Sequence, residues 1–454
     1  MSQTTKRTAT GGMARAAVGV LSILLLAACA AQGPRQLMPT PLVYQQGKGK
    51  PVYVGEPYRL GSVVDLLYIT DRAIGRDAAA TGAPYGEQRA KQIAFGSAQV
   101  SIGAGLDPNY LEAQSRQSAR SKPLPLELGR VRELGRFPSE PYGLMETADG
   151  KLTRDPAVMA SHEEAKAQLR GEVQSRLKRL PRKEVVLYVH GFNETFESAA
   201  LTMAELCHYL GRESVCALFT WPASASGDVL TSYTSTTESA QYAVGHLKKT
   251  IRLLAHTPGV ERIQLLAHSR GSALVLDAVK ALLLESIAAG QDPVEALGID
   301  NIVLFSPDID LDVGAQTITA YVSDPDVISA WPSADIPLTM RGRLTIYASP
   351  QDRALLISRL LFRSRSRVGD LDTDDIPLST QRFLEKLGRI DFIVYEGKRT
   401  DALGHSYYTS SPQVSSDVIQ MLRYGRRLGE PGRELVRTGP VVWKFPPADA
   451  ASRQ

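Results

Sequence analysis

The sequence predicts an α/β fold with a mostly parallel central sheet, helices on both faces and an N-terminal extension. Three observations predict it. From Lys183 onward, short apolar runs alternate with segments of helical periodicity, the pattern of repeated strand–helix units. The first run, VVLYV at 185–189, is apolar throughout, as a strand covered on both faces must be. At "LLAHSRGSAL" a strand-like run passes into a helix-like one across a single serine, Ser269.

The elements follow in order. After 185–189, Phe196, Ala199, Met203, Leu206 and Leu210 recur at helical spacing. Residues 215–220 form the next strand, and Ala240, Ala243, Val244, Leu247, Ile251 and Leu254 mark a second amphipathic helix. A strand at 262–267 precedes a largely buried helix at 271–285, and strands at 301–305, 344–348 and 392–395 complete the series. Upstream, 63–69 and 98–102 are strand-like, whereas 105–160 reads as loop, rich in Pro and Arg. The division expected is a targeting segment at 1–28, a linker at 29–60, an extension at 61–170 packed on the core, a main domain at 183–430 and a peripheral tail at 431–454.

Charge is uninformative by its balance. Net charge is +4, and without Lys6, Arg7 and Arg15 of the first segment it falls to +1. Such a near-neutral chain gives no reason to expect nucleic acid as a partner. The seven histidines lack ligand spacing, so no metal and no cofactor is expected. Cys207 ends a predicted helix and Cys216 enters the next strand. Two buried thiols is the reading favoured, with a disulfide as the alternative.

Ser269 has the context of a nucleophile on a sharp strand-to-helix turn. Such a turn demands small residues two before and two after, here Ala267 and Gly271. It also places the N–H of Arg270 at a helix N-terminus, where it can donate to an oxyanion. The competing reading is a serine that merely caps the helix. Phe192, in the loop after the first core strand, is the candidate for the second oxyanion donor, with His190 orienting that loop. His405, in "DALGHSYY", is the candidate base, and His268 the rival. Asp352, after strand 344–348, is favoured as the acid over Asp308, in "SPDID". Two further features stand near these. Arg359, Arg363, Arg365 and Arg367 read as a solvated basic face, with an anion site as the alternative. Residues 311–342, with Tyr321 and Trp331, are long enough to form a lid.

Residues 16–26 are apolar after a basic start and end on Leu26-Ala27-Ala28-Cys29, followed by Ala30. This resembles a bacterial lipoprotein processing box and implies a chain anchored by lipid at Cys29 to the cell envelope, at the outer membrane facing the periplasm. The segments "YVHGFNETF", "LFTWPASASG", "LLAHSRGS", "SPDID", "QDRALLISRLLFRSRSRVG" and "GHSYY" resemble an α/β-hydrolase family of bacteria whose function is undefined. "YITDRA", "YGEQR" and "FGSAQVSIG" resemble its N-terminal strands. The resemblance implies an α/β-hydrolase fold and a Ser269–His405–Asp352 triad, without a substrate. The expectation is a lipid-anchored serine hydrolase of small esters or lipid-like substrates. The alternatives are an acyltransferase and a non-catalytic envelope lipoprotein on the same scaffold. Oligomeric state is left open.

Overall fold

The computed structural model describes residues 34–45, 61–75, 84–223, 229–323, 340–364 and 366–446. Its strands are β1 (Val63–Ile74), β2 (Tyr85–Ile102), β3 (Leu126–Arg136), β4 (Leu144–Glu146), β5 (Leu152–Arg154), β6 (Glu184–Val189), β7 (Val215–Thr220), β8 (Arg262–His268), β9 (Ile299–Phe305), β10 (Leu344–Ala348), β11 (Ile390–Val394), β12 (Val436–Arg437) and β13 (Val442–Lys444). The helices are α1 (Leu42–Gln45), α2 (Pro108–Ser115), α3 (Pro156–Arg179), α4 (Phe196–Tyr209), α5 (Val229–Ala255), α6 (Arg270–Ala288), α7 (Pro293–Leu297), α8 (Leu311–Ser323), α9 (Arg353–Phe362), α10 (Leu378–Leu387), α11 (Tyr407–Ser410) and α12 (Pro412–Leu422).

Eleven of the described strands form one sheet, ordered β12-β13-β11-β10-β9-β8-β6-β7-β1-β2-β3. From β13 to β1 every pairing is parallel; β2, β3 and β12 join antiparallel at the two ends. Alternation along β6 feeds two cores. Val185, Leu187 and Val189 pack with α3, α5 and α6, while Val186 and Tyr188 pack with α4 and α12 on the opposite face. This double burial is why β6 is apolar at consecutive positions.

The position of β6 between β7 and β8 creates the crevice. The chain leaves β6 through α4 on one face to reach β7, and leaves β8 through α6 on the other. The loops after β6 and β8 therefore diverge at the carboxyl ends of adjacent strands, the place where open α/β sheets bind ligands.

Four sequence expectations are corrected. Within the 61–170 extension, whose β1 to β3 continue the main sheet, the stretch 105–160 is not loop but holds α2, β3, β4, β5 and the start of α3. β3 (LELGRVRELGR) is an edge strand with mostly polar side chains, and α3 is strongly polar, so neither carries a clear apolar period. The linker reading of 29–60 fails for residues 34–45, which pack on α4 and α12. Leu37, Met38, Val43 and Tyr44 are buried there. Arg120 donates to the carbonyls of Leu37 and Met38, and Tyr44 to that of Tyr209. The tail reading of 431–454 fails for 436–446, where β13 joins β11 with Val442 buried.

Last, Cys207 and Cys216 are buried but bonded to each other, not free thiols. α4 ends close above the start of β7, which puts the two Cα atoms 5.9 Å apart, within bonding range. Helical period and strand pattern place each cysteine but not their separation. The double variant Cys207→Ser/Cys216→Ser should lose about 2–3 kcal/mol of unfolding free energy, the chain-entropy expectation for a loop this short. Denaturant titration without reductant measures it, and equal midpoints for variant and wild type would refute the bridge.

Candidate active site

Ser269 occupies the turn from β8 to α6 with φ 51° and ψ −124°, a region that costs a non-glycine residue about 1–3 kcal/mol. Its backbone is held from both sides. Ser269 N–H donates to Phe305 O at 2.9 Å, and Ser269 O accepts from Asp308 N at 3.1 Å and Ser272 N at 3.1 Å. The side chain makes no capping bond to α6, so the helix-cap reading does not account for it. The turn packs tightly against the loop after β6. A Cβ at Gly271 would stand 2.3 Å from His190 O, and one at Gly191 would stand 2.8 Å from Ser269 Cβ. Glycine is required at both places by close approach.

The histidine and its acid come from the next strands along. Asp352 N-caps α9, its Oδ1 accepting from Ala354 N at 3.0 Å and Leu355 N at 3.2 Å. Its Oδ2 receives His405 Nδ1 at 2.6 Å. With Nδ1 so engaged, Nε2 carries the lone pair of the neutral ring. Burial alone would push the His405 imidazolium down. The charge and hydrogen bond of Asp352, with Asp308 and Asp401 beyond, hold it above its ordinary value instead. Asp401 also shapes the loop. Its Oδ1 accepts from the N–H groups of Leu403, Gly404 and His405, and its Oδ2 from Ser406. Below the ring, His268 Nε2 donates to His405 O at 3.2 Å, and the two imidazoles lie 4.5 Å apart. Ser269 and His405 thus share one end of the sheet, although no hydrogen bond joins them; such contacts often tighten only with substrate bound.

The loop after β6 is pinned by buried groups. His190 Nε2 accepts from Trp221 N at 3.1 Å, which leaves Nδ1–H to donate to Gly191 O at 2.9 Å. Burial and the nearby Arg72 guanidinium keep this ring neutral, well below the ordinary histidine value. Trp221 stacks on it and donates Nε1–H to His190 O, so this tryptophan packs the loop. Arg72, wholly buried, reaches Thr220 Oγ1 at 2.8 Å and Glu194 O at 2.6 Å. Phe192 lies in this loop, and Arg270 is the first residue of α6.

Asp308 belongs to a different cluster. It accepts from Ser358 Oγ at 2.7 Å and lies 3.4 Å from Arg367 Nε and 3.8 Å from Arg270 Nε. Its geometry toward His405 is that of a neighbouring charge, not of a hydrogen-bond partner. The solvated basic face expected at 359–367 is corrected for Arg367 alone, since Arg363 is exposed and Arg359 half-exposed. Arg367 is 4 % exposed and pairs with Asp308, and Arg359 pairs with Asp370 at 3.2 Å. His268, the rival base, is buried and held well below its ordinary value by burial and His405. Cys29 and the first segment, Arg365, and Trp331 with most of the lid candidate lie outside the described residues. Sequence reasoning missed Arg72 and Asp401. "TDALGHS" held a signal for the latter, since an aspartate ahead of a glycine commonly bonds successive backbone N–H groups.

No grouping of His, Cys, Asp and Glu among the described residues could hold a metal ion. Nor is any described helix long and apolar enough to cross a membrane.

A parallel sheet with a serine at a strained strand-to-helix elbow, and with histidine and acid on later strands, defines the α/β-hydrolase class. The profile of the family "Alpha/beta hydrolase of unknown function (DUF900)" matches residues 165–423, more than half of the chain, and the chain belongs to that family. No curated protein matches. Among solved structures, it is similar to an esterase of Pyrobaculum calidifontis, with 14 % identity, a TM-score of 0.26, and coverage of 54 % of this chain and 78 % of that one. It is likewise similar to carboxyl esterase 2 of the fungus Tuber melanosporum, at 17 % identity and a TM-score of 0.26, covering 54 % and 77 %. Likeness at these scores says nothing about substrate.

His405 should titrate above the ordinary imidazole value of about 6.5, followed by NMR of its ring nitrogens. Asp352→Asn should lower that value and Asp308→Asn lower it less. An unshifted His405 in Asp352→Asn would refute the assigned pairing.

Proposed function

We propose that this chain is a serine hydrolase that cleaves an ester or thioester through an acyl-enzyme. The hydrogen bond of 2.6 Å between His405 and Asp352, beside a strained Ser269, carries the reading. His405 Nε2 takes the Ser269 proton as Oγ attacks the acyl carbon. It then gives that proton to the departing alcohol or thiol. Asp352 fixes the tautomer and stabilises the imidazolium. The N–H groups of Phe192 and Arg270 bind the tetrahedral oxyanion. Water, activated by the same histidine, releases the acid.

A fluorophosphonate probe tests this directly. Wild type should label and Ser269→Ala should not; an unlabelled wild type would favour the binding scaffold over the enzyme. On a chromogenic ester, Asp352→Asn should cost about 10³–10⁴-fold in kcat and Asp308→Asn less, and the reverse ranking would reassign the acid. Transfer of the acyl group to an added alcohol in preference to water would identify an acyltransferase.

The same proposal places the chain in the bacterial envelope, held by a lipid on Cys29 and facing the periplasm. Support comes from the processing box and from the packing of Arg35, whose guanidinium pairs with Glu205 at 2.5 Å. Five residues separate Cys29 from Arg35, a reach of about 20 Å at most over the six Cα steps, so the domain would sit close to the membrane. Expressed in a bacterium, the wild type should fractionate with membranes and carry an acylated N-terminal cysteine by mass spectrometry. Cys29→Ser should lose the modification, and an unmodified, membrane-free wild type would overturn the anchor.

A further inference from the structure

A concave site lies away from Ser269, between the sheet and α3. It is a cleft of about 440 Å³. β1, β2 and β3 form its floor, and the last turns of α3 form its wall. Asp65 pairs with Gln99 across β1 and β2, and Ser97 pairs with Arg132 across β2 and β3. These residues all line the cleft, as do Arg130, two residues from Arg132, and Glu172, Arg176 and Arg179 of α3. The strand residues near it are the early part of β1, whereas the loops around Ser269 leave the carboxyl ends of the parallel strands. The two sites therefore belong to different ends of the sheet.

Four arginines face two carboxylates here, and both carboxylates are already engaged by one arginine. Arg176 is 5 % exposed. Its Nε donates to Glu172 at 2.8 Å, and its Nη1 reaches Asp65 Oδ2 at 3.1 Å and Asp65 O at 3.0 Å. Its Nη2 is buried without a hydrogen-bond partner. Arg130, Arg132 and Arg179 are exposed, and among the described residues no carboxylate pairs with any of them. The carbonyl end of a helix repels anions, so the helix contributes nothing to anion binding and the side chains must supply all of it. Guanidinium forks from two elements line a cleft with net charge +2, and such planar forks suit the oxygens of a phosphate group.

We propose that this cleft binds a phosphate group, held by Arg130, Arg132 and Arg179 over the fixed charge of Arg176. The group is either a free phosphate-bearing metabolite or the headgroup of an anionic lipid. Neither source depends on the hydrolase reading.

Titration of the full-length protein with inorganic phosphate, at ionic strength matched with chloride, tests it by calorimetry. Phosphate should bind, and the variant Arg130→Ala/Arg132→Ala/Arg179→Ala should bind at least about tenfold more weakly. These three side chains are exposed, so the variant should keep the wild-type melting midpoint in chloride, which separates lost binding from lost folding. Vesicles of phosphatidic acid in phosphatidylcholine distinguish the sources. Retention that exceeds pure phosphatidylcholine and falls in the triple variant assigns a lipid headgroup. Phosphate binding without such retention assigns a soluble ligand. Binding of phosphate no stronger than chloride, with no vesicle preference, overturns the site, as does a triple variant that binds like wild type.

Discussion

The constraint on which this structure depends is the contact between two loops at the ends of β6 and β8. Ser269 is held at φ 51°, and the loop bearing His190 and Gly191 passes so close that a single added methyl would collide with backbone at Gly271 or with Ser269 at Gly191. A strained turn persists only where its surroundings over-determine it. Here the surroundings are backbone bonds from β9 and a loop fixed from beneath by neutral His190, Trp221 and Arg72. The buried arginine and histidine are thus part of how the serine is held at its strained turn, although neither touches it.

Electrostatics in the crevice are sorted by partner. Asp352 spends one oxygen on the N-terminus of α9 and the other on His405. It is both a helix cap and the fixed charge that raises the imidazole. Asp308 is committed to Ser358 and to the guanidiniums of Arg367 and Arg270. Two aspartates that look equivalent, each just past a strand, are divided by what packs behind them. A carboxylate already paired with buried arginines has little left to offer a histidine.

Much of the core was legible because its physics is local. A strand buried on both faces is mostly apolar, so the runs within β6, β7 and β8 announce themselves. α4 and α6 bury wide stripes and show helical spacing. The edges were not legible, since an edge strand such as β3 has few positions that meet the core, and its arginines read as loop. Residues 34–45 and 436–446 read as linker and tail because short segments that dock on a surface carry too few apolar residues to show a period. Arg72 and Asp401 escaped notice for a related reason. Their roles are hydrogen bonds to backbone far away or locally folded, and a residue type alone does not state its partners.

The α/β class, the strand-to-helix setting of Ser269 and the order in which serine, acid candidates and histidine follow are all written in the chain. All of these rest on periodicity and on small residues at a turn, which are properties of neighbours in the chain. Packing sets the rest: that Asp352 meets His405, that Cys207 and Cys216 are bonded, that His190 is neutral, and that arginines of β3 and α3 line one cleft. Each of those is a distance of a few ångströms between residues remote in sequence or on different elements, and such distances are set by packing of the sheet and its helices.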